Sequence, residues 1–574
     1  MLEQASANWG QSAQAAPGEN VDANRATHEL RVMELWRSAG RDLVTENWGE
    51  LQSLIDHLDD LIERGKYAEA AASAQVAANF AVFWHAGVFS SPRLEEAIRK
   101  LGQRAIPSLA PKAARHDGTN LAILHVVTEL SEIGGHTRMI TRWVGHDNAN
   151  VHSVAATRQH EPTPARLKDV ISSTGGSIIQ LNLEIGGILD WARNLQELIV
   201  KADLVIFHVH NMDVIPFLAL SGLRNRPPVA MVNHSDHLFW IGVSFVDHVI
   251  CTRRSGLKLC VDRRGVSPDQ AILLPLCLEP MKRLRSREQA KETLHLPPDS
   301  VVLLTIARAL KFRPLDGENF CEPLLPLILS NSKIHFIVIG PRGDPGWDRI
   351  ERLASGRIKV LPETKNTQIY LEAADVYVDS FPFVSITSMF EAGLYGTPLV
   401  TRVAFGPGCE IMAADSPGLD AVIVRANSAQ ELREVVTRLA ESPESRKTIG
   451  FETVSEISST NFGHNWIDEV QNIYDIILNN SHKFPKNILD DFPRMEDADL
   501  FLPFVYGDAA KGASLSKRRA YATEHVLKVA PLRWRLRELF ALVGRHEFSA
   551  PIWKYLIPEW AGCHARRYLR RRGS

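Results

Sequence analysis

A chain of 574 residues is too long for one hydrophobic core and requires two or more domains. With 45% hydrophobic and 23% charged residues and a formal net charge of −2, it has an ordinary globular composition and no whole-chain field to draw it to nucleic acid or a membrane. Six scattered cysteines (251, 260, 277, 321, 409 and 563), with no Cys-x-x-Cys pair, argue against a disulfide framework and a thiolate zinc site and fit a reducing cytosol.

The start, MLEQASANWGQSAQAAPGEN, lacks the basic and apolar blocks of a signal peptide. No run reaches ~18 uncharged apolar residues, so no transmembrane helix is expected. Residues 1–27 are rich in Ala, Gln, Asn and Gly and read as a flexible N-terminus. Over 28–118 the apolar spacing turns helical, as in LQSLIDHLDDLIERGKYAEAAASAQVAANFAVF, with Gly65 as a helix end. About one helical hairpin is visible, too little for a solenoid, so this is a helical extension docked on the next domain.

From 119 the pattern alternates between short apolar strands and amphipathic helices. NLAILHVVTEL, VHSVAAT, GSIIQLN, DLVIFHVH, VAMVNHS and HVICTRR predict strands. After a proline-bearing connector the alternation restarts with VVLLTIARAL, IHFIVIG, RIKVL, ADVYVDS, PLVTRV and AVIVRA. Such alternation predicts an α/β protein with parallel sheets covered on both faces. The expected domains are residues 119–283 and 284–454, a closing helical segment at 455–485, and a C-terminal extension at 486–574. That extension ends HARRYLRRRGS, with five arginines in 566–572.

In open parallel sheets ligands sit beyond the carboxyl ends of the strands. Two doubly wound domains facing a cleft offer one bank to a nucleotide and the other to an acceptor. After the first strand come Gly134 and Gly135, which either let a ligand approach the backbone or simply form a turn. After VAMVN come His234, Asp236 and His237. They read either as buried, satisfied polar residues or as a general base, with Asp236 orienting an imidazole. His-x-x-His lacks a third ligand nearby, and no Asp-x-Asp pair ends a strand, so no metal site is expected. After VVLLTI come Arg308, Lys311 and Arg313, cations suited to a diphosphate or to a solvated loop. DSFPFVSITSMFEAGLYGTP brings Ser385, Thr387 and Ser388 to a helix start, an anion-binding arrangement, with Glu391 about a turn later to accept from a ribose diol.

These segments together resemble a GT-B glycosyltransferase of the family 4 kind over residues 119–480. The Gly-Gly loop, ADLVIFHVH and FVDHVICTRRSG are similar to its first domain. The connector into LLTIARAL resembles its passage to the donor domain, and the helix acid before Gly396-Thr397-Pro398 its donor signature. The resemblance implies two Rossmann-like domains, an acceptor domain then a donor domain, and a nucleoside diphosphate sugar as substrate, with no cofactor. Family 4 places two glutamates seven residues apart. Glu391 matches the second, which implies the ribose contact, but Phe383 stands at the first. The stretch is also similar to O-GlcNAc transferase-type signatures, where Thr387 and Ser388 match a diphosphate-binding pair, and Lys311 and Pro314 match a phosphate lysine and its proline. His234 or His237 matches a histidine that is catalytic or touches the sugar. His234, first after the strand, is preferred, with Asp236 and His237 on the acceptor or sugar side.

The expected activity is metal-independent glycosyl transfer to a glycan, lipid-linked or protein acceptor, in glycan, polysaccharide or glycoconjugate synthesis. The leaving charge would fall to Lys311, Arg308 and the 385–388 amides. No nucleic-acid partner is expected. The location is cytoplasmic, with the basic C-terminus available for peripheral contact at the inner face of a membrane. The rivals are a non-catalytic binding or scaffold protein on this frame, which Phe383 favours, and a sugar-nucleotide epimerase, which would need further acids. A nicotinamide dehydrogenase is disfavoured because GPRGDPG has the wrong spacing for a dinucleotide loop.

Overall fold

The computed structural model describes residues 19–109, 120–132, 135–314, 318–343, 345–403, 405–480, 491–507, 512–544 and 548–572. Gly134 and residues 1–18 of the expected flexible N-terminus lie outside the described residues. The chain forms two compact units. The N-terminal unit holds residues 41–277, 466–495 and 507–574; the C-terminal unit holds those up to 40, 278–465 and 496–506.

In the N-terminal unit seven strands form a wholly parallel sheet. They are β1 (Ala122–Val127), β2 (Val151–Ala156), β3 (Ile178–Gln180), β4 (Leu204–His208), β5 (Val229–Asn233), β6 (His248–Cys251) and β7 (Ala271–Leu273). Their order is β3-β2-β1-β4-β5-β6-β7. The first six match the expected runs; β7 was not among them and ends at Leu273, where the connector was read to begin. Strands covered on both faces need near-continuous apolar sequence, and β4 and β5 are buried at every position.

Alternate side chains go to opposite faces. Leu124, Val126, Val205 and Phe207 join a core built with helices Tyr67–Phe83, Pro92–Ala105 and Ile188–Ile199. Ile123, Leu204, Ile206 and Val232 face Met139 and Trp143 of helix Gly135–His146, together with Trp466, Val470, Ile473 and Ile477. Burying side chains such as Val470, Ile473 and Ile477 contributes roughly 1.5–3 kcal/mol each. That apolar face explains why residues from 466 onward, expected in a closing segment after the second domain, belong to this sheet.

Gly65 adopts φ +69, the left-handed conformation that closes the helix before it. That helix, Glu19–Glu63, starts earlier than the expected boundary at 28. Helix Pro92–Ala105 begins with a capping Ser91 hydroxyl, which accepts from the Leu94 amide, and a proline in its first turn. Its buried Glu95 accepts the amides of Gly242, Val243 and Ser244 at 2.6, 3.0 and 2.7 Å, fixing the segment that follows β5. At the other end of the chain, helix Glu559–Arg572 is tied to the residues after β2 through Glu559 and Arg158, 2.7 Å apart. The basic C-terminus is thus an integral helix of this unit.

The C-terminal unit carries a second parallel sheet: β8 (Val301–Ile306), β9 (Ile334–Gly340), β10 (Ile358–Pro362), β11 (Val376–Val378), β12 (Leu399–Arg402) and β13 (Val424–Ala426). The order is β10-β9-β8-β11-β12-β13. All six match expected runs, so the α/β class with two doubly wound sheets is the one present. Gly340 ends β9 at φ +131, where a Cβ would stand 1.7 Å from the Ala307 carbonyl. A side chain there would drive apart the end of β9 and the loop after β8. No helix among the described residues is long and apolar enough to cross a membrane.

Candidate functional site

In the C-terminal unit the site is built on the loop between β11 and helix Thr387–Leu394. Its centre is Asp379, buried one residue past β11. One carboxylate oxygen accepts the amides of Ser380 and Ser385, at 2.8 and 2.9 Å, and the Ser385 hydroxyl at 2.7 Å. The other accepts the Thr401 hydroxyl at 3.1 Å. Burial pushes the Asp379 carboxyl up, while the bonds from Ser385, the charge of Lys311 and the Thr401 hydroxyl oppose it. Ser385 also meets the Tyr377 hydroxyl at 2.8 Å. This corrects the expectation for Ser385: its amide and hydroxyl are committed inside the loop, so it braces the turn rather than facing a diphosphate.

Lys311 lies in a short 3-10 turn after β8, and its ammonium donates to the Val384 carbonyl at 2.6 Å. The same ammonium lies 5.4 Å from the centre of the Phe383 ring, which packs on Tyr506 at 4.8 Å. Phe383 is 3% exposed, a buried packing residue where the family resemblance asks for a carboxylate. Thr387 is exposed in the first turn of its helix, Ser388 and Glu391 are half-buried, and Arg308 is exposed beside the 3-10 turn. Lys311 is therefore bonded to the loop that opens into the helix bearing Thr387, Ser388 and Glu391.

In the N-terminal unit the structure brings His234 into a row that the sequence did not reveal. His234 follows β5, and its Nε2 lies 3.1 Å from His208 Nδ1 at the end of β4. His208 Nε2 is 3.0 Å from His125 Nδ1 in the middle of β1. His125 Nε2 is 3.0 Å from His152 Nδ1 near the start of β2. Beyond it His152 Nε2 lies 3.1 Å from Asp147 Oδ2, close enough for ion pairing but not aligned as a hydrogen bond. His125, His152 and His208 are wholly buried, whereas His234 is partly exposed. His136, one residue after Gly135, stacks on His234 with ring centres 4.0 Å apart and contacts the His208 carbonyl at 3.0 Å.

Burial pushes the imidazoles of His125, His208 and His234 well below their ordinary range, and neighbouring histidines push the same way. His136 is pushed down to about 3, by burial first and His210 second. These rings are therefore neutral at pH 7.

Asp236 does not orient His234. It is buried and paired with Arg253, whose Nη1 is 3.2 Å from both carboxylate oxygens, and the imidazole facing it is His237 at 3.6 Å. The wholly buried Arg264 holds the same loop by donating to the carbonyls of Asp236 and Leu238, both at 2.7 Å. Gly135 opens helix Gly135–His146, and among the described residues, its chain neighbours and helix backbone aside, no other protein atom lies within 4 Å of where its Cβ would stand. Gly134, its partner in the expected donor loop, is not among the described residues. No group of three or more His, Cys, Asp or Glu among the described residues is placed to hold a metal ion.

No family model and no curated protein matches the sequence. Among solved structures the chain is similar to a glycosyltransferase from Rickettsia africae (13% identity, 63% of this chain and 100% of that one, TM-score 0.49). It is also similar to the Anabaena protein HepE in complex with UDP and glucose (14%, 62% and 99%, 0.45). A third is an O-GlcNAc transferase from Thermobaculum terrenum (14%, 78% and 84%, 0.44).

Proposed function

We propose that the protein transfers a glycosyl group from a nucleoside diphosphate sugar to an acceptor hydroxyl. The reading assigns the donor to the C-terminal unit and acceptor deprotonation to His234 of the N-terminal unit. One observation carries it: Lys311 is bonded through Val384 to the loop that opens into helix Thr387–Leu394. A point charge and a helix N-terminus then serve one loop, as a diphosphate requires.

When the bond from the sugar to the diphosphate breaks, negative charge grows on the leaving group. Lys311, Arg308, the Thr387 and Ser388 hydroxyls and the helix dipole would meet it without reorganising. Glu391 would accept from the ribose diol. The reading gives the leaving charge to side chains and backbone rather than to a metal ion. Phe383 supplies no carboxylate to the donor sugar, so neither retention nor inversion is assigned. The acceptor is a glycan, a lipid-linked sugar or a protein, in a cytoplasmic enzyme of glycan or glycoconjugate synthesis whose basic C-terminal helix contacts the inner face of a membrane.

A panel of nucleoside diphosphates in a thermal-shift assay tests the donor half. A ligand at ~100 times its Kd adds about 2.7 kcal/mol to the stability of the unit that binds it. At least one nucleotide should raise the melting temperature, and Lys311→Ala should abolish the rise. No response to any nucleotide, in either protein, would overturn the reading.

A further inference from the structure

The strand order places β2, β1, β4 and β5 side by side, and each contributes one histidine, on or directly after the strand, on the same sheet face. The row slopes along the strands. It begins at Asp147 just ahead of β2, passes the second residue of β2, the middle of β1 and the last residue of β4, and ends just beyond β5. It therefore runs from the amino end of the sheet to the carboxyl end, where parallel sheets present ligands. Trp143 stands edge-on to both His125 and His208, with ring centres 6.0 and 6.1 Å away.

Resting on the reading of His234 as the acceptor's base, we propose that Asp147, His152, His125 and His208 form a proton relay that fixes the tautomer of His234 and takes up the proton it removes.

The direction of the relay is set at the Asp147 end. Trp143 Nε1 can only donate, and it donates to the Tyr474 hydroxyl at 2.6 Å. The Tyr474 proton is thereby directed to Asp147 Oδ2 at 2.9 Å, and Asn150 Nδ2 lies 3.0 Å from both carboxylate oxygens. Burial opposes ionisation of Asp147, yet His152, Asn150 and Tyr474 together hold its carboxyl below the usual range. The negative charge of Asp147, 3.1 Å from His152 Nε2, favours the tautomer that turns an Nε2 proton toward it and leaves Nδ1 as an acceptor. The same choice repeats along the row: His125, His208 and His234 each hold their proton on Nε2. Nδ1 of His234 is then the lone pair at the partly exposed end.

Nδ1 takes the acceptor's hydroxyl proton as the acceptor oxygen bonds to the anomeric carbon and the diphosphate leaves with its electron pair. The Nε2 proton of His234 passes to His208 Nδ1, that of His208 to His125 Nδ1, and that of His125 to His152 Nδ1. One proton has entered, His234, His208 and His125 have each moved their proton from Nε2 to Nδ1, and His152, protonated on both nitrogens, holds the positive charge beside Asp147. Besides its own members, His136 and His210 face His234, and Asp236 and His237 follow on its loop. Asp213, Glu129, Arg158 and His160 surround His210. His234 is the catalytic residue; the other four are positioning residues.

The test uses the full chain labelled with 15N-histidine, with the His234 ring signals identified by their loss in His234→Gln. In the wild type, His234 should carry its proton on Nε2. Asp147→Asn should mix its tautomers, lower kcat at least about tenfold out of the ~10²–10⁴-fold that a positioned base supplies, leave KM within about twofold, and move the acid limb of the rate to lower pH. His152→Gln cuts the row one ring further along and should do the same, which covers the case in which the first variant does not fold. A His234 tautomer unchanged in both variants overturns the relay, whatever the activity. If the tautomer responds but no donor and acceptor pair is turned over, the relay stands and the glycosyl-transfer reading falls.

Discussion

Replacing Glu559 with glutamine tests what ties helix Glu559–Arg572 to the sheet of the N-terminal unit. The carboxylate is 3% exposed. It accepts Nη2 and Nε of Arg158 at 2.7 and 3.2 Å and Nδ2 of Asn182 at 3.0 Å, with His160 Nε2 3.4 Å away. Burial opposes its charge, but Arg158 and His160 hold it well below the ordinary glutamate range. A carboxamide keeps the shape, loses the charge and turns one acceptor into a donor, so the Arg158 guanidinium is left without its counter-charge. Breaking a buried pair by removing one partner costs ~3–5 kcal/mol. The Arg158 side chain keeps 18% exposure, which places the cost at the lower end. About 3 kcal/mol is roughly a hundredfold in the opening equilibrium. Two separate units do not unfold as one transition, so the assay is amide hydrogen exchange resolved along the chain. Protection of residues 559–572 should fall roughly a hundredfold while the C-terminal unit is unchanged. Exchange within about twofold of the wild type, or an equal loss in both units, would refute the reasoning.

The same cluster gives a pH dependence. Burial lowers the His160 imidazole, but Glu129 and Glu559 outweigh it and hold it at about 9. That folded value lies above the unfolded ~6.5, so the contribution of His160 is complete below about pH 6.5 and lost as the pH rises through about 9. Protection of helix Glu559–Arg572, corrected for intrinsic exchange, should be weaker at pH 9.5 than at pH 6, and the difference should flatten in Glu559→Gln. Ser385→Ala removes a hydroxyl bonded to Asp379, at about 1.5–3 kcal/mol for a bond to a charged group. It should lower the melting temperature while nucleotide affinity falls less than in Thr387→Ala, where affinity drops and stability holds. Vesicle cosedimentation checks the membrane contact: Phe540, Trp553 and Leu569 are 79%, 59% and 67% exposed in the unit that carries Arg566, Arg567 and Arg570. Anionic but not neutral vesicles should retain the protein, and Trp553→Ser should weaken retention.

Most strands were legible because a strand covered on both faces leaves a near-continuous apolar run, as in AILHVV, LVIFH, VAMVN and VVLLTI. The strand that was missed, Ala271–Leu273, runs without a break into the apolar and proline-bearing LLPLCLEP of the connector. The positions of Lys311 just after β8 and of Thr387 and Glu391 on the helix after β11 were legible from the strand and helix pattern, and the roles given to them belong to the proposed function. Ser385 was misread because its residue type is shared by anion sites and by turns braced on a buried carboxylate, and only Asp379 decides between them. Asp236 was read as orienting an imidazole; its carboxylate is paired with Arg253, seventeen positions on, and the imidazole beside it is that of His237. The histidine row was out of reach for a related reason. In AILHVV and LVIFH the histidine is the one polar residue of an apolar run, and in VHSVAA it stands beside a serine. The histidines become neighbours only when the strand order sets β2, β1 and β4 edge to edge. A search for one titratable residue per strand at stepped heights would have found them.

Glu95 has a practical consequence. A protein shortened to begin at residue 119, the natural cut if the helices before it were ornament, would leave the amides of Gly242, Val243 and Ser244 without their acceptor, a few residues from His234. It would also strip Leu94, Ile98 and Leu101 from the core beneath the sheet. Such a minimal version would lose solubility and the shape of the His234 loop together. Crystallisation trials, inhibitor screens and domain exchanges should keep residues 41–105 attached.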